Sequence, residues 1–287
     1  MPENDFLQRF IIESSGSRGE IVRLTDSYRS VSRHVDYPIE IKKLLGEVMC
    51  TATLLTATLK FEGKLSIQLQ GQGLVSLLLV QSTHEQKLRA TAKWQGEVSG
   101  KNFKELIGKA QLAITIEPEQ GKRYQGIVPL EGENFAECIE LYFLQSEQLP
   151  TQIWLAVNQQ SCAGFLLQKL PGNEKESSPE NWEHITILAR TITDQELLEE
   201  SFETILYRLF HAETVKVFEG KPVVYECTCS KQRFESGMMS LGQSQISEMI
   251  KEGKTVDLKC EFCGAHYLLE ISDLQRVSVA IAKTSDG

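Results

Sequence analysis

Apolar residues recur at three- and four-residue steps at Ile41, Leu44, Leu45, Val48, Ala52, Leu55 and Leu59, the stripe of one long amphipathic helix. Strict alternation follows. Leu65, Ile67 and Leu69 form one period-2 set; Leu88, Ala90, Ala92 and Trp94 form a second; Leu112, Ile114 and Ile116 form a third. Each reads as a half-buried strand, because successive strand side chains point to opposite faces. The run Leu77-Leu78-Leu79-Val80 is strand-sized, and Gly71-Gln72-Gly73 and Pro118-Glu119-Gln120-Gly121 supply turns. Helical spacing returns at Phe135, Ile139, Tyr142 and Phe143, and two more strands are expected at Ile153–Val157 and Gly164–Gln168. Alternating strands joined by short turns predict antiparallel sheets packed by helices, an α+β fold.

The polar stretch from Pro171 to Pro179 is the natural end of this first zone. Ser178 before Pro179 reads as an N-cap with proline at the first helical position, opening a helix over 180–190. Thr193-Asp194-Gln195-Glu196 fits a capping box for a second helix, and 201–211 reads as a third. These helices look like a connector rather than a core. Their apolar stripe (Trp182, Ile185, Leu188, Ala189, then Leu197, Leu198, Phe202, Ile205, Leu206, Leu209 and Phe210) has two readings. It is a face docked permanently on the first domain, or one that docks only while the last domain is folded. Release would expose more apolar surface than a monomer normally shows. Glu196, Glu199, Glu200 and Glu203 would keep the released segment soluble. The third zone has helix candidates near 230–237 and 244–252 and strand candidates at 255–259 and 266–271. The expected division is a core domain over 1–176, a helical linker over 177–220 and a small domain over 221–287.

With 41% apolar and 24% charged residues the 287-residue chain has an ordinary globular composition. Its formal charge of −9 argues against a general affinity for nucleic acid or anionic membrane. No segment reaches the roughly 18 consecutive apolar residues of a membrane span. The start, Met1-Pro2-Glu3-Asn4-Asp5, does not resemble a secretory signal, so a cytoplasmic location is expected. In a reducing compartment, closely spaced cysteines point to metal or redox chemistry rather than structural disulfides.

Cys227-Thr228-Cys229 and Cys260-Glu261-Phe262-Cys263 supply four thiols in two tight pairs, with Gly264 permitting a close turn after the second. Zinc takes four thiolates tetrahedrally at about 2.3 Å, so Cys227, Cys229, Cys260 and Cys263 are the expected ligands of one Zn²⁺. The zone is too short to bury a secure core alone, and a metal is the expected staple. Cys-x-x-Cys is ordinary zinc-ribbon spacing; Cys-x-Cys is not. Coordinated sulfurs are thiolates, the form that peroxide and hypochlorous acid attack, and disulfide formation removes the ligands. Zinc contributes about 10–16 kcal/mol in small finger peptides, against roughly 5–15 kcal/mol for the whole stability of a domain. One reading is therefore a switch in which oxidation unfolds the domain. A permanent structural zinc site is the second. A dithiol oxidoreductase using Cys260 and Cys263 is the third, without the βαβ context it needs.

These residues carry a resemblance. Cys227-Thr228-Cys229-Ser230 with Cys260-Glu261-Phe262-Cys263-Gly264 resembles the C-terminal signature of the heat-shock protein 33 family of redox-regulated chaperones. Leu59-Lys60-Phe61-Glu62-Gly63-Lys64-Leu65, Gln68-Leu69-Gln70-Gly71, Gln145-Ser146-Glu147-Gln148-Leu149-Pro150-Thr151 and Leu166-Leu167-Gln168-Lys169-Leu170-Pro171 are similar to its core. Thr193-Asp194-Gln195-Glu196-Leu197-Leu198 and Tyr207-Arg208-Leu209-Phe210-His211 are similar to its linker. The resemblance implies a cytoplasmic, ATP-independent holdase, not an enzyme, that binds unfolding client proteins. It implies an inactive reduced form holding zinc on the four cysteines. It implies oxidation to Cys227–Cys229 and Cys260–Cys263 disulfides, unfolding of the C-terminal domain and linker, and an active homodimer. Cys162 in Ser161-Cys162-Ala163-Gly164 departs from the family pattern and does not touch the ligand set.

Cys50, Cys138 and Cys162 read as small buried hydrophobes. His266 is a weaker candidate to replace a thiolate, and His34, His84, His184 and His211 show no ligand spacing. Gly16-Ser17-Arg18-Gly19 is too short for a phosphate loop, and no Gly-x-Ser-x-Gly elbow is present. The alternative class is a zinc-ribbon module binding nucleic acid. Residues 221–287 carry eight Lys/Arg against nine Asp/Glu, a net of −1, whereas that class needs a basic stripe.

Overall fold

At the start of the described residues β1 (Phe6–Ile12) pairs with β2 (Ser17–Leu24) as a hairpin, turning at Gly16 in the left-handed region. The computed structural model describes residues 5–59, 62–171, 178–253 and 255–285. Lys60, Phe61 and most of the expected first boundary, 172–177, lie outside the described residues. Contacts divide the chain into one unit ending at Glu226 and a second beginning at Cys227.

The first unit continues with α1 (Asp26–Val31), α2 (Ile39–Thr58), β3 (Gly63–Gly71), β4 (Val75–Thr83), β5 (Lys87–Trp94), α3 (Phe103–Ile107), β6 (Ala110–Pro118), β7 (Tyr124–Pro129) and α4 (Phe135–Tyr142). It closes with β8 (Thr151–Val157), β9 (Cys162–Lys169), α5 (Pro179–Ala189), α6 (Asp194–Glu199), α7 (Phe202–Phe210), β10 (Val215–Val217), β11 (Lys221–Pro222) and β12 (Val224–Tyr225). One sheet runs β10-β1-β2-β9-β8, with β11 also paired to β1; the other runs β12-β5-β4-β3-β6-β7. Every pairing is antiparallel except β12 against β5. The mixed helix-and-sheet class is the α+β expectation.

The expected long helix forms as α2, but it is not amphipathic. It packs against both sheets, and every residue from Leu44 to Thr56 is buried except half-buried Glu47. The polar positions that made it look two-faced are threonines satisfied within the helix. Thr51 and Thr53 donate to the carbonyls of Glu47 and Met49 at 2.9 Å, and Thr56 donates to that of Ala52 at 2.6 Å. A hydroxyl bonded four residues back presents only its methyl to the core.

The β1-β2-β9 sheet is covered on both faces. Leu7, Val22, Leu24 and Leu166 face α2, while Phe10, Ile12, Ile21, Phe165 and Leu167 meet Ile185, Ala189, Leu197, Phe202, Ile205, Leu209 and Phe210 of α5–α7. The linker helices thus share a core with the sheet and are more than a connector. Their expected caps form: Ser178 Oγ accepts from Asn181 N at 3.2 Å. Thr193 and Glu196 complete a reciprocal box, with Glu196 N donating to Thr193 Oγ1 at 3.2 Å and Thr193 N to Glu196 Oε2 at 2.9 Å. Gly19 lies opposite Phe10, and a Cβ there would stand 2.1 Å from its ring, so only glycine lets that ring lie flat across the hairpin.

The second unit has α8 (Lys231–Met238), α9 (Gly242–Glu252), the hairpin of β13 (Val256–Lys259) with β14 (His266–Leu269), and α10 (Ile271–Ser285). Helices expected at 230–237 and 244–252 and strands expected at 255–259 and 266–271 all form. The second strand stops at Leu269 because α10, which the reading above did not anticipate, begins at Ile271. Leu274, Val277 and Ile281 of α10 join Met238, Ile246 and Leu269 in a core of six buried apolar residues. Asp273 ties α8 to α10, accepting from Lys231 Nζ, Arg276 and the Glu270 amide. Those donors, Lys231 first, hold its carboxyl down to about 2.

Candidate metal centre

The four expected cysteines come together in the second unit, their sulfurs all within 4.8 Å of one another. Cys227 and Cys229 lie on the extended segment before α8, whose N-cap Ser230 accepts from Arg233 N at 3.3 Å. Arg233 also donates to Thr228 Oγ1 between the two cysteines. Cys260 and Cys263 sit on the turn joining β13 to β14. That turn closes by Cys260 N to Ala265 O and Gly264 N to Cys260 O, both 2.8 Å, with Gly264 at φ 71°. The close turn expected at Gly264 after the second pair therefore forms, with the glycine in the left-handed region.

Cys229 Sγ lies 3.3 Å from Cys263 Sγ, and Cys227 Sγ lies 3.7 Å from Cys260 Sγ. Four sulfurs about 2.3 Å from one tetrahedral zinc would lie nearly 4 Å apart, so the cluster has the dimensions of such a site. The geometry and the all-sulfur donor set fit a metal ion that prefers thiolates. Tyr267, on β14, was not singled out from the sequence. Its hydroxyl lies 3.1 Å from Cys229 Sγ and 3.2 Å from the Cys229 carbonyl oxygen. Its ring packs on Phe234 of α8, centroids 5.1 Å apart. The only sequence signal for it is alternation with the apolar positions of a four-residue strand. Outer partners of this kind orient ligands and tune the metal.

Partial burial disfavours a thiolate at Cys229. Hydrogen bonds from Tyr267 and the neighbouring thiols outweigh that, bringing it down to about 7. Desolvation pushes Cys227 and Cys263 the other way. Crowding thus leaves Cys229 easier to ionise and Cys227 and Cys263 harder, and a cation would displace their protons. His266 stands outside the cluster, exposed, with Nδ1 3.0 Å from Asp257 Oδ1. Cys50, Cys138 and Cys162 are buried in the first unit. Burial raises Cys138 to about 12 and lifts Cys162 as well.

A family model described as Hsp33 protein matches residues 5–270. The chain belongs to the Hsp33 family. The 33 kDa chaperonin of Aeromonas salmonicida is 41% identical over 280 residues, covering 96% of this chain and 95% of that one. The 33 kDa chaperonin of Proteus mirabilis is 40% identical with 97% of each chain covered, and that of Pseudomonas aeruginosa is 40% identical with 96% and 95% covered. The crystal structure of the Hsp33 homologue from Thermotoga maritima shares the fold at a TM-score of 0.80 and 20% identity, covering 99% of this chain and all of that one. Membership of the Hsp33 family places the chain among chaperones. No helix among the described residues is long and apolar enough to cross a membrane.

Proposed function

We propose that this chain is an ATP-independent holdase of the reducing cytoplasm, held inactive by one Zn²⁺ on Cys227, Cys229, Cys260 and Cys263 and switched on by oxidation. The carrying observation is the four-sulfur cluster within 4.8 Å in a unit whose apolar core gathers six buried residues among the described ones. Zinc neutralises charge that four crowded thiolates would otherwise place in that unit. Peroxide reverses this. Each disulfide forms as one peroxide O–O bond breaks; two electrons leave a pair of thiolate sulfurs, and the two oxygens take up two protons from solvent and depart as water. The family resemblance assigns the pairs as Cys227–Cys229 and Cys260–Cys263. Two disulfides leave no thiolate ligand, and the second unit loses its staple.

The apolar face of α5–α7 and its counterpart on the β1-β2-β9 sheet are a hidden surface that undocking would offer to an unfolded client or a second subunit. Undocking would expose Phe10, Ile21, Phe165, Phe202 and Phe210 together. Unfolded client proteins and, in the oxidised form, a second copy of the chain are the proposed partners. The test combines a chromogenic zinc assay, thiol mapping and light scattering of a heat-denatured client. Reduced protein is expected to hold one zinc and protect no client. Peroxide at elevated temperature is expected to release the zinc, close two disulfides, double the molecular mass and suppress aggregation. An oxidised, zinc-free protein that protects no client overturns the reading.

A further inference from the structure

Residues 221–226 form a strap that stitches the two sheets of the first unit together immediately before Cys227. Lys221 and Pro222 pair with Leu7 and Phe6 of β1 in one sheet, and Val224 and Tyr225 pair in parallel with Lys87 and Leu88 of β5 in the other. Main-chain bonds hold it: Val223 N to Asp5 O at 2.7 Å, Val224 N to Gln86 O at 3.0 Å and Glu226 N to Leu88 O at 2.9 Å. Gln86 reaches its position at φ 62°, an unusual conformation for a side-chain-bearing residue, in the turn before β5. Val223 is 3% exposed and belongs to the core, Val224 is 49% exposed, and Tyr225 packs back against the core. Glu226 adds an ion pair to Lys87 Nζ at 3.4 Å.

Without the strap, β5 is a bare sheet edge. An edge strand presents unpaired N–H and C=O groups to any extended chain. What it accepts is shown by what sits on it: an extended backbone, a small branched apolar residue in a closed socket, a second apolar residue two positions on, and a carboxylate for Lys87. Such recognition rests on main-chain bonds and tolerates many sequences. The strap itself is two strands of two residues each, short enough to open locally. It is followed directly by a cysteine of the cluster, so freeing Cys227 frees its far end.

We infer that the β5 edge is a binding site for an extended segment of an unfolded polypeptide, occupied in the resting protein by the chain's own residues 221–226. The inference rests on the holdase reading above and names where a client segment is held. Lys87, Arg89 and Lys93 along β5, with Glu85 paired to Lys87 at 3.0 Å, leave this edge with more basic than acidic side chains in a chain of net charge −9, which favours an acidic or neutral client segment over a second, equally acidic copy.

The test places the photo-crosslinking residue p-benzoylphenylalanine at Lys87 in the full chain, with the exposed Ser99 as a control position. Reduced, carboxymethylated lactalbumin serves as the client. Position 87 of the reduced, zinc-loaded protein is expected to label its own strap. In the oxidised, zinc-free protein it is expected to label the client at least fivefold more, with position 99 unchanged. A fluorescent peptide of residues 221–226 added to the unsubstituted chain is expected to bind the oxidised form at least tenfold tighter than the reduced form. Suppressed aggregation without client labelling from position 87 overturns the edge site while leaving the holdase reading standing. Labelling of a second copy, or equal peptide binding to both forms, also overturns it. A chain that suppresses no aggregation overturns the holdase reading, and the peptide then decides the edge by itself.

Discussion

The chain solves the same problem twice. Its first unit buries two sheets and a central helix in contiguous apolar cores, and its three cysteines are simply part of that packing. Its second unit, among the described residues, gathers six buried apolar residues in its core and sets four cysteines around one point. A core of the first kind is stable by itself; one of the second kind borrows stability from a ligand. The proposed switch, in which one part unfolds while the rest stays folded, rests on this inequality, because an oxidant can remove a ligand but cannot remove a core.

The widest separation between the units is expected from metal removal. Chelation should cost the second unit about 10 kcal/mol of apparent stability, visible as loss of hydrogen-exchange protection over α8–α10, while residues 5–226 keep theirs. Alkylation should follow the same line. Cys227, Cys229, Cys260 and Cys263 are expected to react once the metal is gone; Cys50, Cys138 and Cys162 should wait for unfolding of the first unit. Simultaneous labelling of all seven would break the comparison.

Truncations in each core come next. Phe165→Ala removes a ring stacked between Phe10 and Trp154, with centroids 5.9 and 5.2 Å away. It is expected to cost the first unit about 3–5 kcal/mol in urea unfolding and to leave zinc affinity unchanged. Leu274→Ala in the second unit should cost about 3 kcal/mol. Because the metal binds only the folded form, that loss should be read as roughly 100-fold weaker zinc binding in competition with a chelator. An unchanged affinity would mean the site is preformed without its core.

Charge placement offers a third contrast. Glu20 on β2 is buried, and its Oε2 has no hydrogen-bond partner among the described residues. Burial raises it from 4.5 to about 7 against the pull of Arg18 and Arg9. Between those two values the folded state binds a proton that the unfolded state has lost, so stability falls as pH rises through this window and levels off above it. Glu20→Gln is therefore expected to stabilise the first unit by about 3 kcal/mol at pH 8 and by almost nothing at pH 4, measured as urea midpoints at the two pH values. Asp273 in the second unit has the opposite sign: its depressed value means a contribution present above about 4 and lost as acid approaches about 2.

How much of this was legible in the sequence depends on where each residue finds its partners. The strands β3, β5 and β6 alternate because one face is wet, and the cysteine spacing names its own cluster. β1 and β2 escaped notice because β2 is buried on both faces yet carries Arg18, Glu20 and Arg23. Arg18 donates to Gln168 and the Thr58 carbonyl, and Arg23 donates from Nη2 to the carbonyls of Leu197, within α6, and Glu200, just past it. Those partners lie 40 to 177 residues away, and no local pattern encodes them. The all-round burial of α2 was hidden by threonines whose hydroxyls bond inside the helix. α10 is a different case: Leu274, Val277 and Ile281 do carry helical spacing, diluted by the serines and charges between them.

The smallest expected effect is the sharpest on the site. Tyr267→Phe keeps the ring against Phe234 and removes one hydroxyl, so the fold of the second unit should survive. What is lost is a hydrogen bond to Cys229, a term of about 1 kcal/mol for a charged acceptor of this exposure. Zinc affinity is expected to fall roughly fivefold by that amount, and peroxide-driven zinc release should quicken, since a sulfur stripped of its donor is a better nucleophile. If Tyr267→Phe binds zinc as tightly as the parent and releases it no faster, the phenol is packing alone. The ease of release would then belong entirely to the weakness of the six-residue core.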